Sequence, residues 1–199
     1  MFIIISFVFL GCLLGLILGI LIRNKFIIKI SSILISLFII FFILIFLISF
    51  INENKSLRFY FTKSINLSEE NMGEMYLGDS IDQYKIKNKY GKVLSPSKDI
   101  VEYNYYNLTD GIEIATNKND NKIIRFIIDN ENIKTSRGIH IGDDKNQIIK
   151  FYGENYYTRI EQGMNIIGYI DKKKEWCLEF WLGENDIIYM IRLDYKYME

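Results

Sequence analysis

Two apolar runs occupy most of the first fifty residues and limit this chain more than anything that follows. Residues 2–22 form a run of 21 and residues 30–51 a run of 22. With a helical rise of ~1.5 Å per residue, either run crosses the ~30 Å hydrocarbon core of a bilayer. A helix lying on a soluble domain needs a polar face, and neither run has one. The pattern predicts an all-α two-helix transmembrane hairpin over residues 1–51, with spans 2–22 and 30–51 and the lipid bilayer as first partner. A cleaved leader fits less well, because no basic stretch precedes the first run and a second run follows it.

Basic residues in short loops stay cytoplasmic. Arg23, Lys25 and Lys29 lie between the runs, which predicts both termini outside and an extracytoplasmic C-terminal domain. Lys55, Arg58 and Lys63 pull the other way. Gly11, Gly15 and Gly19 recur at every fourth position of the first run, as Ser32 and Ser36 do in the second. Small residues let helices approach closely in lipid. Antiparallel pairing predicts Gly19 beside Ser32 and Gly15 beside Ser36, each with an index sum of 51. A homodimer seam through the glycines of the first span is the competing reading. No charge lies inside either run, so nothing suggests an ion path.

The formal net charge is zero, but residues 1–51 carry three basic side chains and no acidic one. The remainder holds 21 basic and 24 acidic residues, a net of −3. Nucleic-acid surfaces need clustered Lys and Arg to displace counterions, so no nucleic-acid partner is expected. The two cysteines, Cys12 and Cys177, fall in different regions, which excludes a disulfide within the soluble part and a cysteine zinc site. No cofactor is expected.

Beyond the runs a block recurs. Residues 78–91 read GDSIDQYKIKNKYG and residues 142–153 read GDDKNQIIKFYG. Both open on Gly-Asp, carry a capping residue next (Ser80, Asp144), place Gln three later (Gln83, Gln147) and close on Tyr-Gly. Such recurrence signals duplicated supersecondary structure. Ser80 and Asp144 are expected N-caps, with Gln83 and Gln147 completing capping boxes and the closing glycines as left-handed stops. Asp79, Asp143 and Asp144 do not form a calcium-loop pattern, so no metal site is expected.

Three strand-like segments follow each helix: 101–108, 111–116 and 122–128, then 165–171, 176–182 and 187–193. Period-2 alternation supports strands, and Asn119-Asp120 and Asn185-Asp186 supply matching turn chemistry. The expected fold class is α+β. Two tandem helix–three-strand units, about 75–130 and 139–195, form one antiparallel sheet with the helices on one face. They make up a domain of residues 73–199, and 52–72 is a juxtamembrane connector in which 57–65 alternates weakly as a short strand.

The glycines and caps, with Leu77-Gly78-Asp79-Ser80, Gly111-Ile112-Glu113-Ile114 and Ile123-Ile124, resemble the YjgB-like extracytoplasmic proteins of Gram-positive bacteria. The repeat is also similar to the tandem fold of the β-lactamase-inhibitor protein and to small outer-membrane-assembly lipoproteins. The resemblance covers roughly 75–195 and implies an extracytoplasmic domain of unassigned role. The chain departs from those relatives in its hairpin and in two extra residues within the first repeated block.

His140 is the single histidine, and alternation sets it opposite Ile139 and Ile141 on a strand. Ser136 and Asp143 are near in sequence, but nothing signals triad geometry. Cys177, beside Trp176, reads as a small buried hydrophobe. Glu113 and Glu179 fall at equivalent repeat positions. Aromatics are in surplus, and Tyr103, Tyr105, Tyr169, Trp176 and Trp181, with Glu113 and Glu179, form the candidate binding face. Exposed Tyr and Trp are typical anchors; bulk in a sheet core is the alternative. The expected function is a membrane-anchored, non-catalytic binding or scaffold protein that contacts another membrane or cell-envelope protein. The alternatives are an accessory subunit of a membrane enzyme, or an inhibitor or immunity-type protein.

Overall fold

The computed structural model describes residues 2–81, 89, 98–99, 102–109 and 111–198. The helix expected after Ser80, with Gln83, lies outside them. The chain divides into two units, Met1–Glu53 and Asn54–Glu199.

The first unit pairs α1 (Phe2–Leu21) with α2 (Lys25–Glu53). Asn24 starts α2, its side chain accepting from the N–H groups of Phe26 at 3.0 Å and Ile27 at 3.3 Å. Arg23 takes φ 51°, confining the turn to residues 22–24. This tight turn corrects the expected pairing. A Cβ at Gly15 would meet Ser31 Oγ at 3.0 Å, and one at Gly19 would meet Ile27 Cγ2 at 3.0 Å. Both pairs have an index sum of 46 rather than 51. Ser31 is buried, whereas Ser32 and Ser36 are exposed and the Ser36 hydroxyl donates to the Ser32 carbonyl at 2.9 Å. A Cβ at Gly11 would meet nothing within 4 Å. Among the described residues, one helix, over Lys25–Ile51, is long and apolar enough to cross a membrane.

The second unit begins where the connector was expected. Instead of a strand, Lys55–Phe61 forms a helix, α3, because Asn54 caps it by accepting from the Leu57 N–H at 3.0 Å. Phe59, Leu67 and Met72 are buried, so this segment belongs to the folded domain. Eight described strands follow in one antiparallel sheet: β1 (Lys98–Asp99), β2 (Tyr103–Thr109), β3 (Ile112–Asn117), β4 (Ile123–Ile128), β5 (Tyr157–Glu161), β6 (Met164–Asp171), β7 (Trp176–Leu182) and β8 (Ile188–Tyr195). Helix α4 (Lys145–Tyr152) precedes β5. Asp144 caps α4, accepting from the Gln147 N–H at 2.9 Å, and Gly153 closes it at φ 85°.

The spatial order is β1-β2-β3-β4-β8-β7-β6-β5. Two four-stranded meanders therefore meet along β4 and β8, where Phe126 opposes Leu193 and Ile128 opposes Ile191. Among the described residues each repeat carries four strands rather than three; β1 and β5 are the additions.

Alternation then divides the side chains. On one face Ile114, Phe126, Ile167, Tyr169, Leu178, Phe180 and Leu193 join Ile148 and Tyr152 of α4 in the main core. On the opposite face Phe59 of α3 packs on Tyr157, Ile170 and Cys177. The described helices thus lie on both faces, not on one.

Candidate functional site

The second sheet face carries the densest chemistry in the described domain. It is built from charges placed singly inside apolar strands: Arg125 in β4, Glu179 in β7, Arg192 and Asp194 in β8. Register brings them together. Arg125 opposes Asp194, Glu179 opposes Arg192, and Glu179 opposes Gly168 of β6, which in turn opposes Tyr157 of β5.

Glu179 is 2% exposed and is the centre of the array. Arg159 grips it with Nε at 2.9 Å and Nη2 at 2.8 Å, and Arg192 Nη2 donates at 2.5 Å. The Tyr157 hydroxyl donates to Oε1, the oxygen that also accepts from Arg159 Nε. Burial alone would push this carboxyl up; the Arg159 hydrogen bonds and the Arg192 charge outweigh it and bring the pKa down to about 2. Burial and the Glu179 charge together push the Tyr157 phenol well above its ordinary range. The row continues through Arg192 Nε, 3.5 Å from Asp194, to Arg125, whose Nη2 donates to Asp194 at 2.7 Å. Arg125 Nη1 then donates to the Tyr105 hydroxyl at 3.1 Å. At its other end Arg159 also pairs with Glu161.

Each carboxylate in this ladder is thus held by a guanidinium. Charges taken out of water persist where partners and hydrogen bonds satisfy them, and removing one partner leaves the other uncompensated. The arrangement can fix strand register and stiffen the face. Beside it, α3 and the C-terminal segment bound a cleft of ≈ 230 Å³ lined by Lys55, Ser56, Phe59, Lys196 and Tyr197. Its two amines are engaged, Lys55 with Asp194 at 3.7 Å and with the Met198 carbonyl, and Lys196 with Glu175 at 2.5 Å. Burial lowers the Lys55 pKa against the opposing pull of Asp194.

The structure corrects the candidate binding face. Tyr169 and Trp176 belong to the main core, Tyr169 against Tyr152 of α4 and Trp176 against Tyr195 of β8. Tyr103, Tyr105, Trp181, Glu113 and Glu179 share the other face, but Tyr105, Trp181 and Glu179 are buried. Trp181 has the guanidinium carbons of Arg159 and Arg192 each 5.4 Å from its ring, so cation–π contact replaces exposure to solvent. Tyr103 and Glu113 are half-buried. Register sets Glu113 and Glu179 in one row, through Ile127 and Arg192, but only Glu179 has the arginine pair.

The ladder has a signature in the sequence. Glu179 in WCLEFWL, Arg125 in IIRFII and the Arg192–Asp194 pair each interrupt an apolar strand on the same side of the alternation. Such an interruption inside a buried run marks a partner across the sheet.

Elsewhere, His140 forms a local turn with Asp143, whose Oδ2 lies 2.7 Å from Nδ1 and accepts from the His140 backbone N–H at 2.9 Å. Ser136 offers its N–H to buried Glu70 at 2.9 Å. Among the described residues, no group of three or more His, Cys, Asp or Glu is arranged to hold a metal ion.

These features define an α+β domain with a two-meander antiparallel sheet, preceded by an apolar helix. No family model matches the chain, and no curated protein matches it. Among solved structures it is similar to a cysteine-rich secretory protein of Staphylococcus aureus, at 13% identity and a TM-score of 0.44, over 61% of this chain and 45% of that one. It is also similar to the DUF4309 family protein YjgB of Bacillus subtilis, at 13% identity and a TM-score of 0.35, over 56% of this chain and 76% of that one. A third is an extracellular protein of Bacillus anthracis containing an SCP domain, at 12% identity and a TM-score of 0.37, over 67% of this chain and 48% of that one. The chain spans under half the length of the first and third. Likeness at this level leaves function to be argued from the residues of the chain itself.

Proposed function

We propose that this protein is a membrane-anchored, non-catalytic extracytoplasmic module that binds or scaffolds another membrane or envelope protein. In this reading α1 and α2 are both spans, the basic 23–29 loop stays cytoplasmic, and the sheet domain stands outside. The observation that carries it is the junction at residues 53–55, where an apolar helix of membrane-crossing length gives way directly to a folded sheet domain. The ladder supports the same reading: Glu179 spends its hydrogen-bonding capacity on Arg159, Arg192 and Tyr157, which suits a rigid platform better than a reactive centre. The repeat match further supports descent of both meanders from one duplicated unit of the β-lactamase-inhibitor type.

With Tyr105, Tyr169, Trp176 and Trp181 buried and Tyr103 half-buried, the partner-facing surface moves to the rim at one end of β5–β8, where Ile160 is 72% and Tyr189 59% exposed. Register aligns Ile160, Asn165, Leu182 and Ile188 along that end. A photo-crosslinking residue placed at 160 or 189 of the full chain, in its own membranes, is expected to give a discrete adduct, with none from exposed Lys118 on the β3–β4 turn. Equal adduct patterns from all three positions would overturn the reading of the rim.

A further inference from the structure

A different exposed surface surrounds the end of α3. Phe59 is buried, but Tyr60 and Phe61 are 72% and 63% exposed, with their rings edge to face at 5.3 Å. Against them lies the β6–β7 turn, residues 172–175, where Lys172, Lys173 and Lys174 occupy successive exposed positions. The Lys172 amine donates to the Tyr60 carbonyl at 2.7 Å and stands 5.9 Å from the Tyr60 ring centre. The Lys172 backbone N–H donates to Ser64 Oγ at 3.0 Å, next to exposed Lys63. The fold therefore joins two segments far apart in sequence into one basic and aromatic patch.

The nearby acids do not neutralise it. Asp171 accepts from the backbone N–H groups of Leu67, Lys173 and Lys174, and Glu175 pairs with Lys196. Among the described residues, no carboxylate lies within 4.0 Å of the Lys63, Lys172, Lys173 or Lys174 amine. In a soluble part of net charge −3, this concentration of unopposed positive charge is a departure.

We propose that this patch docks on anionic lipid headgroups of the membrane that holds α2; the inference rests on the reading of α2 as a span. Tyr60 and Phe61 follow Ile51 within ten residues; the amphipathic Tyr60 ring is favoured at headgroup level, and the apolar Phe61 ring beside it suits the acyl boundary. Lysines are drawn to an anionic surface within a Debye length. Docking would restrain the domain against the bilayer and leave the β5–β8 rim as a separate partner surface.

The test uses the full-length chain in proteoliposomes of phosphatidylcholine, with or without phosphatidylglycerol, reading amide hydrogen exchange over 60–64 and 171–175. Exchange is expected to slow by about tenfold or more in the anionic vesicles. It should recover in 1 M salt and in the K172E/K173E/K174E variant, because screening and charge reversal remove the attraction. The salt comparison needs no variant, so it stands even if the triple substitution misfolds. Equal exchange in both lipids, equal slowing in both lipids regardless of salt, or slowing only when a second protein is added would each overturn the proposal. An alkaline carbonate wash separates the two readings. A chain that is washed off overturns the span and the proposal with it; a retained chain with an unprotected patch overturns the proposal alone.

Discussion

Tyr157 occupies the space that a side chain at Gly168 would need: a Cβ there would fall 2.1 Å from Tyr157 Cζ. The glycine opposes both Tyr157 and Glu179 in register, so it lets the tyrosine hydroxyl reach the Glu179 carboxylate across β6. Gly168→Ala must therefore push Tyr157 off Glu179. Overpacking of this kind destabilises by roughly 1–3 kcal/mol, and the lost hydrogen bond adds to it. Urea denaturation of Gly168→Ala beside Tyr157→Phe measures it, and Gly168→Ala should be the more damaging.

Glu179 supports the fold only while it is ionised. Its folded pKa is about 2, against an ordinary value of 4.5. The stabilisation is fully present above the unfolded value and is lost as pH falls toward 2. Its size is of order 3 kcal/mol by linkage. Thermal melts between pH 7 and pH 2 should show wild type losing this increment below about pH 4.5, while Glu179→Gln lacks the slope. At neutral pH Glu179→Gln should cost about 3–5 kcal/mol, because Arg159 and Arg192 are left without their anion.

Glu70 works in the opposite sense. It is 1% exposed, and burial raises its pKa although the Ser136 N–H and the Arg137 charge pull it back. A carboxyl whose folded pKa is raised destabilises the fold as pH rises above the unfolded value. Glu70→Gln keeps an acceptor for Ser136 and removes the charge. Its melting temperature should match or exceed that of wild type at pH 7, with the advantage shrinking as pH falls toward 4.

Cys177 is 3% exposed, and burial pushes its thiol up to about 12, with Asp194 adding to the effect. Native protein at pH 8 should resist iodoacetamide at this position, and urea should release the thiol to full labelling. Peptide mass spectrometry distinguishes it from Cys12.

The strands were the most legible part of the chain, because alternation marks Ile112–Asn117 and an aromatic-rich apolar run marks Trp176–Leu182. β5 escaped because its sequence, YTRIE, is edge-like and polar, and its identity depends on pairing with β6. α3 escaped because alternation at Leu57, Phe59 and Phe61 outweighed the Asn54 cap, a one-residue signal. The site was harder still. Trp181 and Tyr105 read either as exposed anchors or as bulk in the sheet; burial decides for the second, and the partners that cover them, Arg159, Arg192 and Arg125, come from other strands. No local pattern reports which cation will lie over which ring.

Surface proteolysis of intact cells tests the membrane-anchored, extracytoplasmic reading most directly. Protease added outside should digest the domain that begins at Asn54 and leave residues 1–53 in the membrane pellet. An uncut domain, in cells whose known surface proteins are cleaved, would contradict it.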